Sequence, residues 1–159
     1  MKSIQSHSDQ AANRSAELFE QGFCCSESVL HALAESQGVQ SDLIPRIATG
    51  LCGGIARTGG ICGAVSGGVL AISLATGRSE PKASREENQR LVRTFLRQCE
   101  AGFGSTNCEK LMGCRLDTPE GQRFFSEHNL RAKCAGFTRE AARLAARLLD
   151  ESGQPITRH

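Results

Sequence analysis

The sequence predicts an all-α fold, a compact single-domain bundle of about six helices around a central Gly/Ala-rich helix. Apolar residues recur at helical spacing through most of the chain, and no segment alternates for long enough to demand a strand. The 159 residues are enough for one domain with a real core and too few for two. We expect the domain at residues 8–151, between flexible tails at 1–7 and 152–159.

The first two helices are predicted from apolar faces that stop at glycines. The first begins after Ser8-Asp9, ends at Gly22 and carries one apolar face: Ala12, Ala16, Phe19 and Phe23. The second ends at Gly38 and carries three inward residues: Cys25, Val29 and Leu33. A short helix near residues 45–48 then leads into a glycine-rich run at residues 50–68.

The central helix is predicted at about residues 62–75, within and after the glycine-rich run. Residues 58–77 carry no charge, but their apolar core of about 61–75 is short for a membrane span. We therefore expect a buried helix and no span. Its small residues lie four positions apart: Gly63/Gly67 and Ala64/Gly68. This smooth groove can receive a neighbouring helix, either within the monomer or across a homodimer.

The second half of the chain predicts three more helices and one short segment. Ser84-Arg-Glu-Glu87 indicates a capping box for a helix that ends at Gly102. A loop at 102–107 leads to the short segment at 108–112. Thr118-Pro119 supplies an N-cap and an N1 proline for the next helix. The last helix carries its apolar residues on one side: Phe137, Ala141, Leu144, Ala145 and Leu148.

Composition and charge argue against several classes of function. The net charge of +2 gives no electrostatic basis for binding nucleic acid, and the absence of Trp and Tyr removes a stacking platform for bases. The nucleotide signatures G-x-G-x-x-G and G-x-x-x-x-G-K find no support. Residues 1–21 are polar and contain acids, unlike a secretion signal, so we expect a cytoplasmic protein.

The eight cysteines are the strongest chemical feature of the sequence. In a cytoplasmic chain they favour metal, cluster or redox chemistry over a structural disulfide framework. None of them forms a C-x-x-C pair, which removes the strongest signature of a zinc ribbon or a thioredoxin-like site. Any shared site must therefore be assembled from distant parts of the chain.

Helical phase separates four of the cysteines from the rest. These four point inward, and each lies at or near the beginning of a helical segment: Cys25, Cys62, Cys108 and Cys134. Unsatisfied N–H groups and the positive end of the helix dipole stabilise a thiolate at such a position. The four thiols could converge on an anionic iron–sulfur cluster, or they could form two redox pairs of low pKa.

The other four cysteines carry separate expectations. Cys24 is turned away from Cys25 and lies on a polar stripe, together with Ser28, His31 and Glu35. Cys99 lies on an apolar helix face, where a free cysteine acts as a small hydrophobe. Cys52 and Cys114 lie in or next to loops, and their roles stay undecided.

Four ordered motifs surround the inward cysteines. Cys62-Gly-Ala-Val-Ser-Gly67 has the form CGAxxG, and Gly22-Phe-Cys-Cys25-Ser-Glu-Ser-Val-Leu30 has the form G-x-x-C-x-x-x-V-L. A third cysteine element is Phe103-Gly-Ser-Thr-Asn-Cys108, and a fourth is Lys133-Cys134, which an amphipathic helix follows. Together they resemble the redox-active C-GCAxxG-C-C proteins, over roughly residues 10–150.

The resemblance implies a small helical redox protein, similar to a domain of split-Soret cytochromes for which an iron–sulfur cluster has been proposed. It selects the same four cysteines that helical phase selects. The first hypothesis is therefore that these four ligate one cluster, most simply [2Fe–2S], for electron transfer or redox sensing. The supporting residues are expected in the glycine-rich run: Gly53, Gly54, Arg57, Gly63 and Gly67.

Two alternatives stay open. One is a metal-free thiol–disulfide oxidoreductase in which Cys62 attacks and a distant cysteine resolves; the other is a structural module that holds zinc through four thiolates. Only the first alternative makes the chain an enzyme. Cys24, Cys52 and Cys114 are candidate secondary thiols. Arg57 either neutralises an anionic cluster, binds an acidic substrate or is a surface residue. The expected partner is a redox protein or a small-molecule oxidant or reductant.

Overall fold

A computed structural model describes residues 5–153 as seven α-helices and one 3₁₀ helix. The α-helices are α1 (His7–Glu20), α2 (Cys25–Ser36), α3 (Gly63–Thr76), α4 (Glu86–Phe103), α5 (Cys108–Met112), α6 (Pro119–Glu127) and α7 (Leu130–Glu151), and the 3₁₀ helix is Arg46–Leu51. Within 5–153 there is no strand, only an isolated bridge between Ile61 and Asn107. The all-α prediction is confirmed. Of the two predicted tails, residues 1–4 and 154–159 lie outside the described residues.

The predicted start signals hold at α6 but not at α1 or α4. Helix α1 begins at His7 with Ser6 as its N-cap, before the predicted Ser8-Asp9. Thr118 caps α6 by accepting the Gly121 N–H, as its sequence predicts. The predicted capping box at residues 84–87 is wrong, because Arg85 is the N-cap of α4 and makes no side-chain cap bond. Glu87 instead pairs with Arg90 one turn further along the helix.

The central helix α3 is buried and short. It has 14 residues, of which eight are buried, whereas a membrane span needs about 20. It contacts α2, α4 and α7 and so forms the middle of the core. None of the described helices is both long and apolar enough to cross a membrane.

Neighbouring helices of the same chain occupy the space beside the glycines of α3. A Cβ on Gly67 would lie 2.6 Å from the carbonyl oxygen of Ser26, so α2 packs directly on the α3 backbone. A Cβ on Gly68 would overlap the ring of Phe95 from α4. A homodimer stays a prediction, and these two glycines do not supply its contact surface.

The contact between Gly68 and Phe95 predicts a large loss of stability for Gly68→Ala. Phe95 is fully buried, so its ring has no space into which it can move. We expect the free energy of unfolding to fall by about 2–3 kcal/mol, measured by urea denaturation. Gly102→Ala in α4 is the control, since nothing lies within 4 Å of its new methyl group. Equal unfolding midpoints for the two variants would contradict this packing.

Candidate functional site

A cavity of about 170 Å³ lies where the starts of several helices meet. Six of the eight cysteines line it: Cys24, Cys25, Cys52, Cys62, Cys108 and Cys134. The four cysteines that helical phase turned inward are therefore brought to one place, and we call them the cysteine quartet (Cys25, Cys62, Cys108 and Cys134). Cys99 is fully buried elsewhere, as predicted, and Cys114 is half-buried and outside the cavity wall.

Helix starts position three members of the quartet. Cys25 and Cys108 are the first residues of α2 and α5, and Cys62 is the N-cap of α3. Backbone bonds join two of these starts, since the Cys62 N–H donates to the Thr106 carbonyl at 2.7 Å and the Cys108 N–H donates to the Gly60 carbonyl at 2.7 Å. Cys134 lies one turn into α7 and contacts Met112 of α5, with 3.5 Å between the sulfur atoms.

A left-handed turn covers one side of the cavity. Residues 53–57, here called the left-handed segment, all have positive φ, and three of them are not glycine: Ile55, Ala56 and Arg57. Side chains disfavour this conformation by about 1–2 kcal/mol for each residue. Local backbone bonds hold it, including Ala56 N–H to the Gly50 carbonyl at 2.8 Å and Arg57 N–H to the Cys52 carbonyl at 2.9 Å.

Two glycines allow the backbone to approach the quartet closely. A Cβ on Gly63 would lie 2.5 Å from the sulfur of Cys25. A Cβ on Gly54 would lie 2.7 Å from the Cβ of Cys108, and Gly54 also has a φ of +76°. Of the supporting residues that the sequence predicts, Gly53, Arg57 and Gly63 line the cavity wall and Gly54 packs behind it. Gly67 does not reach the cavity and contacts α2 instead.

Burial has the largest effect on the pKa of Cys25 and Cys62, and nearby backbone N–H groups oppose it. Gly53, Ser26 and Ala64 present their N–H groups to the Cys25 sulfur, and each lowers the pKa of that thiol. Ala64 and Val65, at the start of α3, do the same for Cys62. These contacts are the ones that the helix-start argument predicts.

Burial raises the pKa of the quartet thiols more than the N–H groups lower it. It raises the pKa of Cys62 and of Cys134 to about 12 and that of Cys108 to about 11, and nearby cysteines add to each increase. Burial also raises the pKa of Cys25. The expectation of low-pKa redox pairs is therefore wrong. Without a bound cation these thiols are protonated at neutral pH.

These pKa values predict how the metal-free protein responds to alkali. The thiols ionise near pH 9.0 when unfolded but only near 11–12 when folded, so the stabilisation is present below pH 9 and is lost as pH rises. At pH 10, each of these thiols should lower the free energy of unfolding by about 1 kcal/mol. Urea unfolding at several pH values between about 7 and 11 measures this change in the free energy of unfolding. A constant midpoint over that range would contradict the burial of the quartet.

The two charged side chains that line the cavity, among the described residues, are Arg57 and Arg131. Arg131 donates to the Phe19 carbonyl at 2.7 Å, and its guanidinium carbon lies 4.2 Å from the centre of the Phe19 ring. The remaining wall is mostly apolar, with residues such as Leu111 and Phe137. The cavity therefore favours an anionic occupant. Sequence analysis did not single out Arg131, although it lies three residues before Cys134, because no motif marks this arginine among the many on the helices.

Cys24 and Cys52 form a disulfide in the wall of the same cavity. Their Cα atoms are 6.0 Å apart, within the usual range for such a bond. The predicted polar stripe is wrong for Cys24, because Cys24 is the N-cap of α2 and precedes the helix. The two cysteines are 28 positions apart in the sequence, and no spacing rule could have paired them.

A Glu27 carboxylate lies near the same two sulfurs. The ligand atoms of Cys24, Glu27 and Cys52 lie within 4.8 Å of one another, a grouping that can hold a metal ion once the sulfurs are reduced. Both Glu27 oxygens already accept hydrogen bonds, from the Cys24 N–H at 2.9 Å and from the Thr49 hydroxyl at 2.7 Å. Among residues 5–153, no three quartet sulfurs lie within 4.8 Å of one another, so this group is the tighter one, although its carboxylate is already hydrogen-bonded.

Comparison with known proteins adds one finding. A family model described as "Putative redox-active protein (C_GCAxxG_C_C)" matches residues 23–148. This range holds all eight cysteines and every residue of the cavity wall except Phe19. No curated protein and no solved structure matches the chain.

Proposed function

The chain belongs to the C-GCAxxG-C-C family of redox-active proteins, and on this premise we propose that the cysteine quartet ligates an iron–sulfur cluster for electron transfer or redox sensing. One observation carries the proposal. Four thiols from four separate segments line one cavity, whose charged wall residues are arginines. Four thiolates are the ligand set of a [2Fe–2S] cluster, which supplies one-electron chemistry when bound.

The donor set fits such a group. The four quartet thiols line one cavity, two of them buried and two half-buried, and their raised pKa values oppose ionisation in the absence of a metal. A bound metal reverses this preference, because a coordinating thiol loses its proton. The absence of a side chain on Gly63 leaves room beside the Cys25 sulfur.

The surrounding residues would set the properties of the site. The backbone N–H groups of Gly53, Ala64 and Val65 lower the pKa of quartet thiols, and N–H groups near the sulfurs of a cluster tune its reduction potential. Arg57 and Arg131 would offset negative charge. The apolar wall limits the access of water.

The proposal is tested by the composition of protein purified without oxygen. We expect iron and acid-labile sulfide in stoichiometric amounts, together with few reactive quartet thiols. Protein without iron, whose quartet cysteines form reversible pairs, would overturn the proposal. Stoichiometric zinc without sulfide would also overturn it and would identify a structural module.

A metal-free thiol–disulfide oxidoreductase is the second candidate. The disulfide in the cavity wall favours it, because that bond is a potential oxidant beside the quartet. The role of Cys62 as the attacking thiol is less favourable, since only 6% of its surface is exposed and its pKa is about 12. Both candidate functions require a redox partner. We propose that this partner is a protein or a small molecule of the cytoplasm.

A further inference from the structure

The Cys24–Cys52 pair has no task in the quartet proposal. Both cysteines are half-buried, as are Cys25 and Cys134 of the quartet, whereas Cys62 and Cys108 are buried. The pair lines the same cavity and can be reached through it. An accessible disulfide beside a buried redox site is a candidate reactive group in its own right.

The surroundings of the pair accommodate both redox states. The hydroxyl of Ser26, which is fully buried, donates its proton to the Ala48 carbonyl at 2.8 Å. Its oxygen lies 3.2 Å from the Cys52 sulfur and 3.4 Å from the Cys24 sulfur. That oxygen can accept a hydrogen bond from a thiol when the pair is reduced. Cys24 is also the N-cap of α2, where helix N–H groups stabilise a thiolate.

The pair also anchors a strained part of the backbone. Cys52 directly precedes the left-handed segment, residues 53–57, and the disulfide ties this end of the segment to α2. Three residues beyond its other end, Gly60 is tied to α5, because the Cys108 N–H donates to the Gly60 carbonyl at 2.7 Å. Loss of the covalent anchor would free one end of a conformation that its side chains disfavour.

We propose that Cys24–Cys52 is a second, reversible redox site that reacts with low-molecular-mass thiols, and that its reduction loosens the left-handed segment over the quartet cavity. The small cavity favours a small thiol as the reductant. The inference does not depend on what the quartet binds.

The reaction is an ordinary thiol–disulfide exchange. The thiolate of the first reductant molecule attacks one sulfur of the pair, the S–S bond breaks, and the other cysteine leaves as a thiolate that takes a proton from water. The thiolate of a second reductant molecule then attacks the reductant sulfur of this mixed disulfide, the bond to the protein breaks, and the first cysteine leaves as a thiolate that takes a proton from water. The pair gains two electrons and two protons, and the two reductant thiols become one disulfide.

The test uses the full chain and glutathione as the probe. Protein is equilibrated with reduced and oxidised glutathione in varied ratios, alkylated, and mapped by mass spectrometry. We expect Cys24 and Cys52 to become alkylated together as the ratio of reduced to oxidised glutathione rises. Both should become protected from alkylation again when oxidised glutathione is restored. A pair that stays unlabelled at every ratio, or that does not re-form, would refute the proposal.

Amide hydrogen exchange tests whether reduction of the disulfide loosens the left-handed segment. Reduction should speed exchange of the Ala56 and Arg57 amides by about tenfold or more, with little change in α7. Cys52→Ser should show the fast exchange at every glutathione ratio, while Cys114→Ser should respond like the wild type. If reduction leaves the exchange rates of these two amides unchanged in the wild-type protein, the disulfide does not hold the left-handed segment in place. This outcome does not depend on whether the Cys52 variant folds.

Discussion

Gly63→Ala is expected to reduce the iron and sulfide content at least about tenfold while leaving the helical fold in place. The new methyl group would lie 2.5 Å from the Cys25 sulfur and 3.2 Å from the Leu51 carbonyl oxygen. The sulfur would have to move, and a ligand that is out of position weakens the whole set. Metal and sulfide assays on anaerobic protein, with circular dichroism for the fold, measure the effect.

Gly136→Ala is the matched control for this substitution. Gly136 lies inside α7, and nothing lies within 4 Å of its new methyl group. Alanine should raise the free energy of unfolding by up to about 1 kcal/mol there, because it favours the helix, and the iron content should stay unchanged. Full iron content in Gly63→Ala would show that Cys25 is not a ligand in this cavity.

Cys62→Ser and Cys99→Ser are expected to have opposite effects. Cys62 lines the cavity as a member of the quartet, and a serine oxygen is a much poorer ligand for iron in a cluster, so iron should be lost. Cys99 is fully buried in the core, outside the cavity. A serine hydroxyl there should lower the free energy of unfolding by about 1–3 kcal/mol and leave iron bound.

The comparison between these two variants separates ligation from packing. Iron content and urea unfolding are measured on the same anaerobic preparations. Cys24→Ser is a third variant, which should retain iron because Cys24 pairs with Cys52 and not with the quartet. Loss of iron in Cys99→Ser, or equal loss in Cys24→Ser and Cys62→Ser, would contradict the choice of ligands.

The helices and the convergence of the quartet could be predicted because both follow from local patterns. The short segment at 108–112 is α5 with the same bounds, and Cys25 and Cys62 lie at helix starts as expected. Helical phase says which residues point inward, and in a bundle of this size inward residues lie close together.

The disulfide and the left-handed segment could not be predicted, because neither follows from periodicity. The pairing of Cys24 with Cys52 depends on how the 3₁₀ helix lies against α2, a contact that includes the bond from Thr49 to Glu27. The positive φ values of Ile55, Ala56 and Arg57 oppose the preference of those residues. The raised thiol pKa values were missed for a related reason, since the degree of burial depends on the assembled fold.

Native mass spectrometry of the intact chain, purified without oxygen, tests the central claim most directly. The account predicts a mass above that of the chain by two iron and two sulfide, retained in Cys24→Ser and absent in Cys62→Ser. The mass of the bare chain in wild-type protein, or of the chain with one zinc, would contradict the account.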